Sequence, residues 1–454
     1  MSSPIRDERV ATLNDAEARD GGDFVLYWME ASQRADHNEA LEYAVHRANE
    51  HGVRLLAAAV LDSDEPDFNR RHAAFAVQGY RDTAERLSDR TIKFALRTGP
   101  AVKTIASLAR DAAEVVVDRG YLRHQKDWRK QLARDAGCRV TQVEANVIVP
   151  VETASEKREY AARTIRSQIN DAAERFLDEL SAVSIDKDSR GLSIDGERLD
   201  RQSDVNRICD LLSYSNDVPP APDFEGGYSA AKRRFDGFLD RLKHYAGGRS
   251  DFAAEHTSRL SPYLRFGHIS PVEIATSLGR HGSKDDRDEF LEELLVRREL
   301  AVNFVYYCDD YDSLKALPDW AADTLEYHKS DDREHVYTAA ELEAAETHED
   351  AWNAAMIEMK TRGWLHNHLR MYWGKKIAEW TNTPQFGHRT ALKLNNRYFL
   401  DGRDPNSYAN NLWVYGLHDR AFGESDVIGK TRPMSRDGLD KKADVEAYLD
   451  GVER

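Results

Sequence analysis

The chain has 454 residues, 41% of them hydrophobic, with 64 basic against 80 acidic side chains and a formal net charge of −16. One hydrophobic core does not usually serve that length, so two or more packed units are expected. No run approaches the roughly 20 apolar residues that cross a bilayer, and residues 1–20 are charged and lack the apolar segment of a secretory signal. Cys138, Cys209 and Cys308 form no CxxC or Cys/His spacing, which argues against a disulfide framework and a zinc site; a cytoplasmic chain is expected. The acidic balance argues against a protein that coats nucleic acid, without excluding a local basic groove. Spread along the chain, it also suits work at high salt.

Residues 21–150 alternate short β-rich runs with amphipathic stretches. The runs are FVLYWM (24–29), VRLLAAAVL (53–61), IKFAL (92–96), AEVVVD (113–118) and CRVTQVEANVIVP (138–150), and the helical period is clearest over 38–50 and 71–87. This rhythm predicts an α/β unit on a doubly wound parallel sheet. No GxGxxG follows the first strand, so a Rossmann dinucleotide site is not supported. After Val151 the strand-like runs give way to Glu, Ala, Arg, Lys and Leu at helical spacing. Residues 151–223 read as an interdomain connection with a helical segment; within it, 184–223 is polar, carries Pro219, Pro220 and Pro222 and holds no period. An all-α unit is expected over 224–454.

Four segments could carry chemistry. Thr257, Ser258, Arg259, Leu260 and Ser261 precede Pro262, where a helix should begin. Their hydroxyls, beside the amides of that helix, can donate hydrogen bonds to a diphosphate, although an ordinary serine cap would look the same. Gly363 to Trp380 follows, with His366 and Arg370 four apart and Trp373 and Trp380 seven apart, so that each pair shares a helix face. Tryptophans at helical spacing are usually core, yet five of the eight tryptophans fall between Trp352 and Trp413, among polar residues. Gly363 should end the helix that carries Trp352.

The third segment, Asn395 to Tyr398 and Leu400 to Asn406, presents carboxylates, amides and aromatics around an Asp-Gly and an Asp-Pro-Asn that read as loop. A bland alternative has Asp401 as a helix cap and Arg403 in a surface pair. The fourth, Glu292 to Leu300, sets acids and arginines in one apolar helix and could be internal salt bridges; an acid facing a cavity would instead have its pKa raised by burial.

Together these segments resemble the photolyase and cryptochrome family, and specifically the class II cyclobutane pyrimidine dimer photolyases. The likeness also rests on residues 34–41 (RADHNEAL), 156–166 (EKREYAARTIR), 293–300, Thr347-His348 before Trp352-Asn353-Ala354, Arg370-Met371-Tyr372-Trp373 and 400–406. It implies that the all-α unit binds a folded FAD and that the α/β unit is an antenna domain, whose chromophore could be a deazaflavin, a folate or a flavin. Tyr245 and residues 257–261 would meet the FAD phosphates, Asn406 would join that cofactor set, and Arg370 with Asp401 would form a salt bridge beside the isoalloxazine. Asn395 matches an asparagine near flavin N5. Trp373, Trp352 and Trp380 match an electron-transfer chain. Glu293, Met371 and Trp413 match the pocket of a flipped lesion, with Arg432 a basic residue nearby.

The chemistry implied is light-dependent repair of UV-damaged DNA by a monomer. The lesion leaves the base stack, and an electron from excited, reduced FAD splits the pyrimidine dimer while the protein supplies position and electrostatics. Phe422 stands where class II members carry Trp, Arg265 where they carry His, and Pro433 where they carry an aromatic. Two other outcomes remain open: a cryptochrome-like blue-light photoreceptor that keeps FAD and the tryptophans without repairing DNA, and an FAD-free helical protein.

Overall fold

The computed structural model describes residues 5–62, 65–212 and 217–452. Six strands form one sheet in the order β1-β6-β5-β2-β3-β4: β1 (Val10–Thr12), β2 (Phe24–Trp28), β3 (Arg54–Leu61), β4 (Lys93–Thr98), β5 (Ala112–Asp118) and β6 (Arg139–Val143). Every residue of β2 and β5 is buried, as expected of a parallel sheet covered on both faces. The strand period of two sorts the side chains. Val25, Tyr27, Leu55, Ala57 and Ala59 share a hydrophobic cluster with α1 (Glu39–His51) and α2 (Arg70–Asp89). Phe24, Leu26, Trp28, Leu56 and Ala58 pack with α3 (Ala101–Leu108) and α4 (Arg123–Asp135). The sheet is therefore doubly wound.

Two details differ from the sequence expectation. The short β1 lies before residue 21 and pairs antiparallel with β6, so the parallel sheet has one antiparallel edge. Of the run at 138–150 only Arg139–Val143 is strand. Beyond it the backbone meets side chains instead of a ladder: Arg9 donates to the carbonyls of Glu144 (2.8 Å), Val147 (3.1 Å) and Ile148 (2.8 Å). Apolar β-branched residues thus continue where pairing has stopped.

After β6 the chain is helical: α5 (Ala162–Ala173), α6 (Gln202–Leu211), α7 (Tyr228–Leu239), α8 (Ser261–Arg265), α9 (Lys284–Leu291), a π-helical stretch (Glu292–Arg297), α10 (Arg298–Tyr307), α11 (Asp350–Arg362), α12 (Asn367–Trp380), α13 (Pro384–Tyr398) and α14 (Pro405–Trp413) are the elements that matter to the site. Residues 184–223 do more than connect. Ser189 N–H donates to Thr91 O (2.9 Å) and Glu197 N–H to Leu96 O (2.8 Å), which occupies the outer edge of β4.

The two units share one cluster, in which the ring of Phe75 of α2 meets those of Tyr263 (5.3 Å) and Phe266 (5.1 Å). The 34–41 motif acquires a physical reason here. Arg34, fully buried, donates to Ala145 O (2.6 Å) and to Gly267 O of the helical unit (3.1 Å), while Asn38 caps α1. Cys138, Cys209 and Cys308 are buried and unpaired. Among the described residues no helix is long and apolar enough to cross a membrane.

Candidate functional site

The aromatic run resolves into a stack. α11 is capped by the Glu349 carboxylate, which accepts from Trp352 N–H (3.0 Å), and it stops at Gly363, whose φ of 70° places it in the left-handed region. α12 then returns alongside, so Trp352 and Trp373 lie nearly parallel, with centroids 6.5 Å apart and 8° between planes. Trp380 meets Trp352 edge-on at 5.8 Å. Trp352 Nε1 donates to the carbonyl of Trp373 (3.0 Å), which fixes the first two rings together. All three are buried. The buried Trp373 Nε1 and His366 Nε2, both belonging to α12 or its cap, lack a protein partner.

Arg370, one turn before Trp373, makes a two-pronged pair with Asp401 at 2.8 and 2.9 Å, donates from Nε to Leu365 O (2.8 Å) and lies 4.0 Å over the Phe399 ring. Phe399 in turn is 6.3 Å from Trp373, so the ion pair and the tryptophan stack adjoin. Asn395 lies in the last turn of α13. Across from α12, Phe252 and His366 are 6.4 Å apart, and the His244 and His256 rings, 5.4 Å apart, bring the turn before Tyr245 against the approach to Thr257. Tyr245 is buried between Phe238 and Phe290. Arg259 turns the chain at φ 52° and lies over Trp364 at 4.6 Å, Ser258 Oγ accepts from Leu260 N–H (3.4 Å), and Ser261 opens the short α8.

Asn406, expected in a loop, is on α14 and donates to Asp404 Oδ1 (2.8 Å). The cap is Asp404, not Asp401, and Arg403 is not in a surface pair: it is buried and ion-paired with Glu65 of the α/β unit. Asn406 lines a small cavity between the units with Arg265, Arg403 and Tyr121. Arg265 joins the same carboxylate at 3.2 Å.

A second aromatic group forms at the end of α14. Arg432 lies 4.4 Å over Phe422 and 5.7 Å over Trp413, and Asp419 holds it at 3.0 and 3.1 Å. Three side chains from one 20-residue stretch therefore converge. Glu293 stands on the π-helical stretch, is 39% exposed and pairs with Arg249 at 2.8 Å, so it is not the cavity-facing acid considered for this run. Glu292 does form the internal bridge considered for this run, with Arg297 at 3.0 Å. Met371 is half-buried and receives a contact from Asn367 Nδ2 at 3.7 Å.

The chain is 42% identical to the deoxyribodipyrimidine photo-lyase of Methanothermobacter thermautotrophicus, over 99% of this chain and 98% of that one. It belongs to the DNA photolyase family. The DNA photolyase family model matches residues 25–184, and the deoxyribodipyrimidine photo-lyase of Oryza sativa is 38% identical over 98% of this chain and 90% of its own. A solved Synechocystis cryptochrome shares the fold, with a TM-score of 0.76 at 18% identity over 94% of this chain and 87% of that one. As a photolyase family member the protein is an enzyme of the lyase class.

Two buried ionisable groups in this chain escaped sequence reasoning. Lys375, two residues after Trp373, is fully buried, donates to Val414 O and lies 5.1 Å from the Trp413 ring; burial pushes its ammonium down to about 7. Glu299, in the signature run, accepts from Ile148 N–H (2.5 Å) and Val149 N–H (3.2 Å), and burial lifts it to about 7. A lysine and a glutamate inside amphipathic helices gave no sign of which face they take. Because the folded state of Glu299 holds its proton from about 4.5 up to about 7, its contribution to stability is complete below the lower value and lost as pH rises through the upper. Glu299→Gln is therefore expected to flatten the fall in Tm between about pH 5 and 8. An unchanged slope in thermal melts would assign the titration to another group.

Proposed function

We propose that the chain is a class II photolyase that binds FAD and repairs cyclobutane pyrimidine dimers in DNA by light-driven electron transfer. The observation that carries this reading is the Trp373, Trp352, Trp380 stack abutting the Arg370–Asp401 pair. The residues fit a flavin. A guanidinium–carboxylate pair offers charge and hydrogen bonds in a fixed plane, hydroxyls at Thr257, Ser258 and Ser261 suit a diphosphate, and the unpartnered Trp373 Nε1 and His366 Nε2 await acceptors or donors. FAD, when bound and reduced, supplies the electron that splits the dimer.

The protein's own residues do the rest. Arg370 and Asp401 would orient the cofactor ring, Tyr245 and residues 257–261 would hold the phosphate side, Asn406 would join the cofactor set, Asn395 would stand near flavin N5, and the three buried tryptophans would carry electrons to it. Trp413 and Phe422 offer aromatic faces to an extruded lesion, and Arg432, already stacked on both rings, adds positive charge beside them. Phenylalanine at 422 keeps a stacking surface where tryptophan is usual. Met371 and Glu293 complete the pocket; Glu293, held as an ion pair with Arg249, offers a polar contact at its mouth.

In this reading residues 21–150, with β1 added, are the antenna domain, 151–223 the connection and 224–454 the catalytic domain, working as an intracellular monomer on UV-damaged DNA. The antenna pocket would hold a deazaflavin, a folate or a second flavin, and absorption of the released cofactors identifies which. The purified protein, reduced and lit with near-ultraviolet or blue light, is expected to restore thymines in a dimer-containing oligonucleotide. Dimers that survive prolonged illumination in the presence of bound, reduced FAD would favour a cryptochrome-like sensor.

A further inference from the structure

We propose that Asn396, anchored by Asp67 of the α/β unit, is a positioning residue that fixes the Asn395 amide with its oxygen free for the flavin. This rests on the reading that Asn395 lies beside flavin N5. Amide oxygen and nitrogen are hard to tell apart by shape, so their orientation must be argued from partners. For Asn396 the partners are unambiguous. Its Oδ1 lies 3.0 Å from the Arg403 backbone N–H, which can only donate, and its Nδ2 lies 3.1 Å from an Asp67 carboxylate oxygen, which can only accept. Asn396 is 1% exposed, so a flip would bury two mismatched pairs.

With Asn396 so fixed, its Oδ1 also faces Asn395 at 3.1 Å, and Asn395 must present Nδ2 there. The remaining Oδ1 of Asn395 is an acceptor. Reduced flavin carries a hydrogen on N5 and oxidised flavin does not, so an acceptor at this point favours reduction, and a flipped amide, offering N–H, would favour the oxidised ring. The backbone around the pair is equally constrained. A Cβ on Gly402 would stand 2.9 Å from the carbonyl oxygens of Asn395 and Phe399, so only glycine lets the 400–403 turn fold back on this helix end. Asn69 Nδ2 donates to Arg397 O (2.7 Å) and His72 Nε2 lies 3.0 Å from Phe399 O. Asp67 itself sits at φ 58°, a conformation that Asp, Asn and Gly tolerate best. The α/β unit therefore reaches the flavin's electronic environment through one carboxylate and one amide.

The test is the midpoint potential of the bound flavin, followed by its absorption during a redox titration of the full-length holoprotein. Losing one ordered hydrogen bond corresponds to about fivefold in the reduction equilibrium, or about 40 mV at 59 mV per decade for one electron. Asn396→Leu is expected to lower the potential by that amount. Asp67→Gly, which keeps the backbone conformation and removes the carboxylate, should shift it the same way by about twofold, whereas Asp67→Asn, which keeps an acceptor oxygen, should leave it as in the parent. Asn395→Leu should shift the potential too, and Asn396→Leu added to it should change nothing more. If Asn395→Leu shifts the potential while Asn396→Leu and Asp67→Gly do not, the positioning role is wrong and the flavin-site reading stands. An equal effect of Asn396→Leu with or without Asn395 also overturns it. If Asn395→Leu leaves the potential untouched, the placement of Asn395 at N5 fails instead.

Discussion

Trp373→Phe is expected to abolish photoreduction of the bound flavin while leaving repair by the chemically reduced protein intact. The substitution is mild in packing terms and severe in redox terms. Phenylalanine keeps an aromatic ring where Trp373 touches Phe399 and Trp352, at a stability cost of about 1–3 kcal/mol for the vacated volume. Trp352 stays in place because its Nε1 bonds to the backbone carbonyl of residue 373, which the variant retains. What disappears is an indole that can give up an electron, since a benzene ring is far harder to oxidise. Transient absorption after a flash reads the first effect, and an oligonucleotide repair assay on dithionite-reduced protein reads the second. Photoreduction at the parent's rate in this variant would show that electrons reach the flavin by another route.

Asp401→Ala is expected to yield a protein that purifies without flavin and is destabilised by about 3 kcal/mol. Asp401 is 7% exposed, and both of its oxygens are engaged by Arg370. Removing it leaves a guanidinium, 23% exposed in the pair, facing the site with only Leu365 O and the Phe399 ring to compensate. Two consequences should appear together: a lower melting temperature and a loss of the flavin absorption per protein. Asp401→Asn, with one acceptor oxygen in place of two, should fall between. A variant that keeps stoichiometric flavin would remove this ion pair from the cofactor site.

Much of this was legible in the sequence because the signals were local. Strand runs alternating with helical periods predict a doubly wound sheet, and Gly363 marks the end of α11. What was not legible depended on partners that only the tertiary fold brings together. Nothing in the three-residue β1 announces an edge strand until β6 is there to pair with it. Arg403 could be read as a surface residue because Glu65, its partner, belongs to the other unit. Which acid of the 292–300 run faces inward was not legible either: on the π-helical stretch Glu293 emerges beside Arg249, while Glu299 is the one buried. The convergence of Trp413, Phe422 and Arg432 is a tertiary event, carried by the Asp419–Arg432 pair.

Arg71 of α2 carries one more consequence. Its guanidinium is buried and donates to the carbonyls of Pro219, Met359, Lys360 and Tyr398, at the ends of the connection, α11 and α13. Each acceptor left dry and unmatched would cost about 1–3 kcal/mol. A gene fragment encoding 224–454 alone would make a chain whose helix-end carbonyls must find other donors and whose apolar face lacks Phe75. Such a fragment should aggregate, and replacing the α/β unit with a foreign one would demand an arginine at the same place.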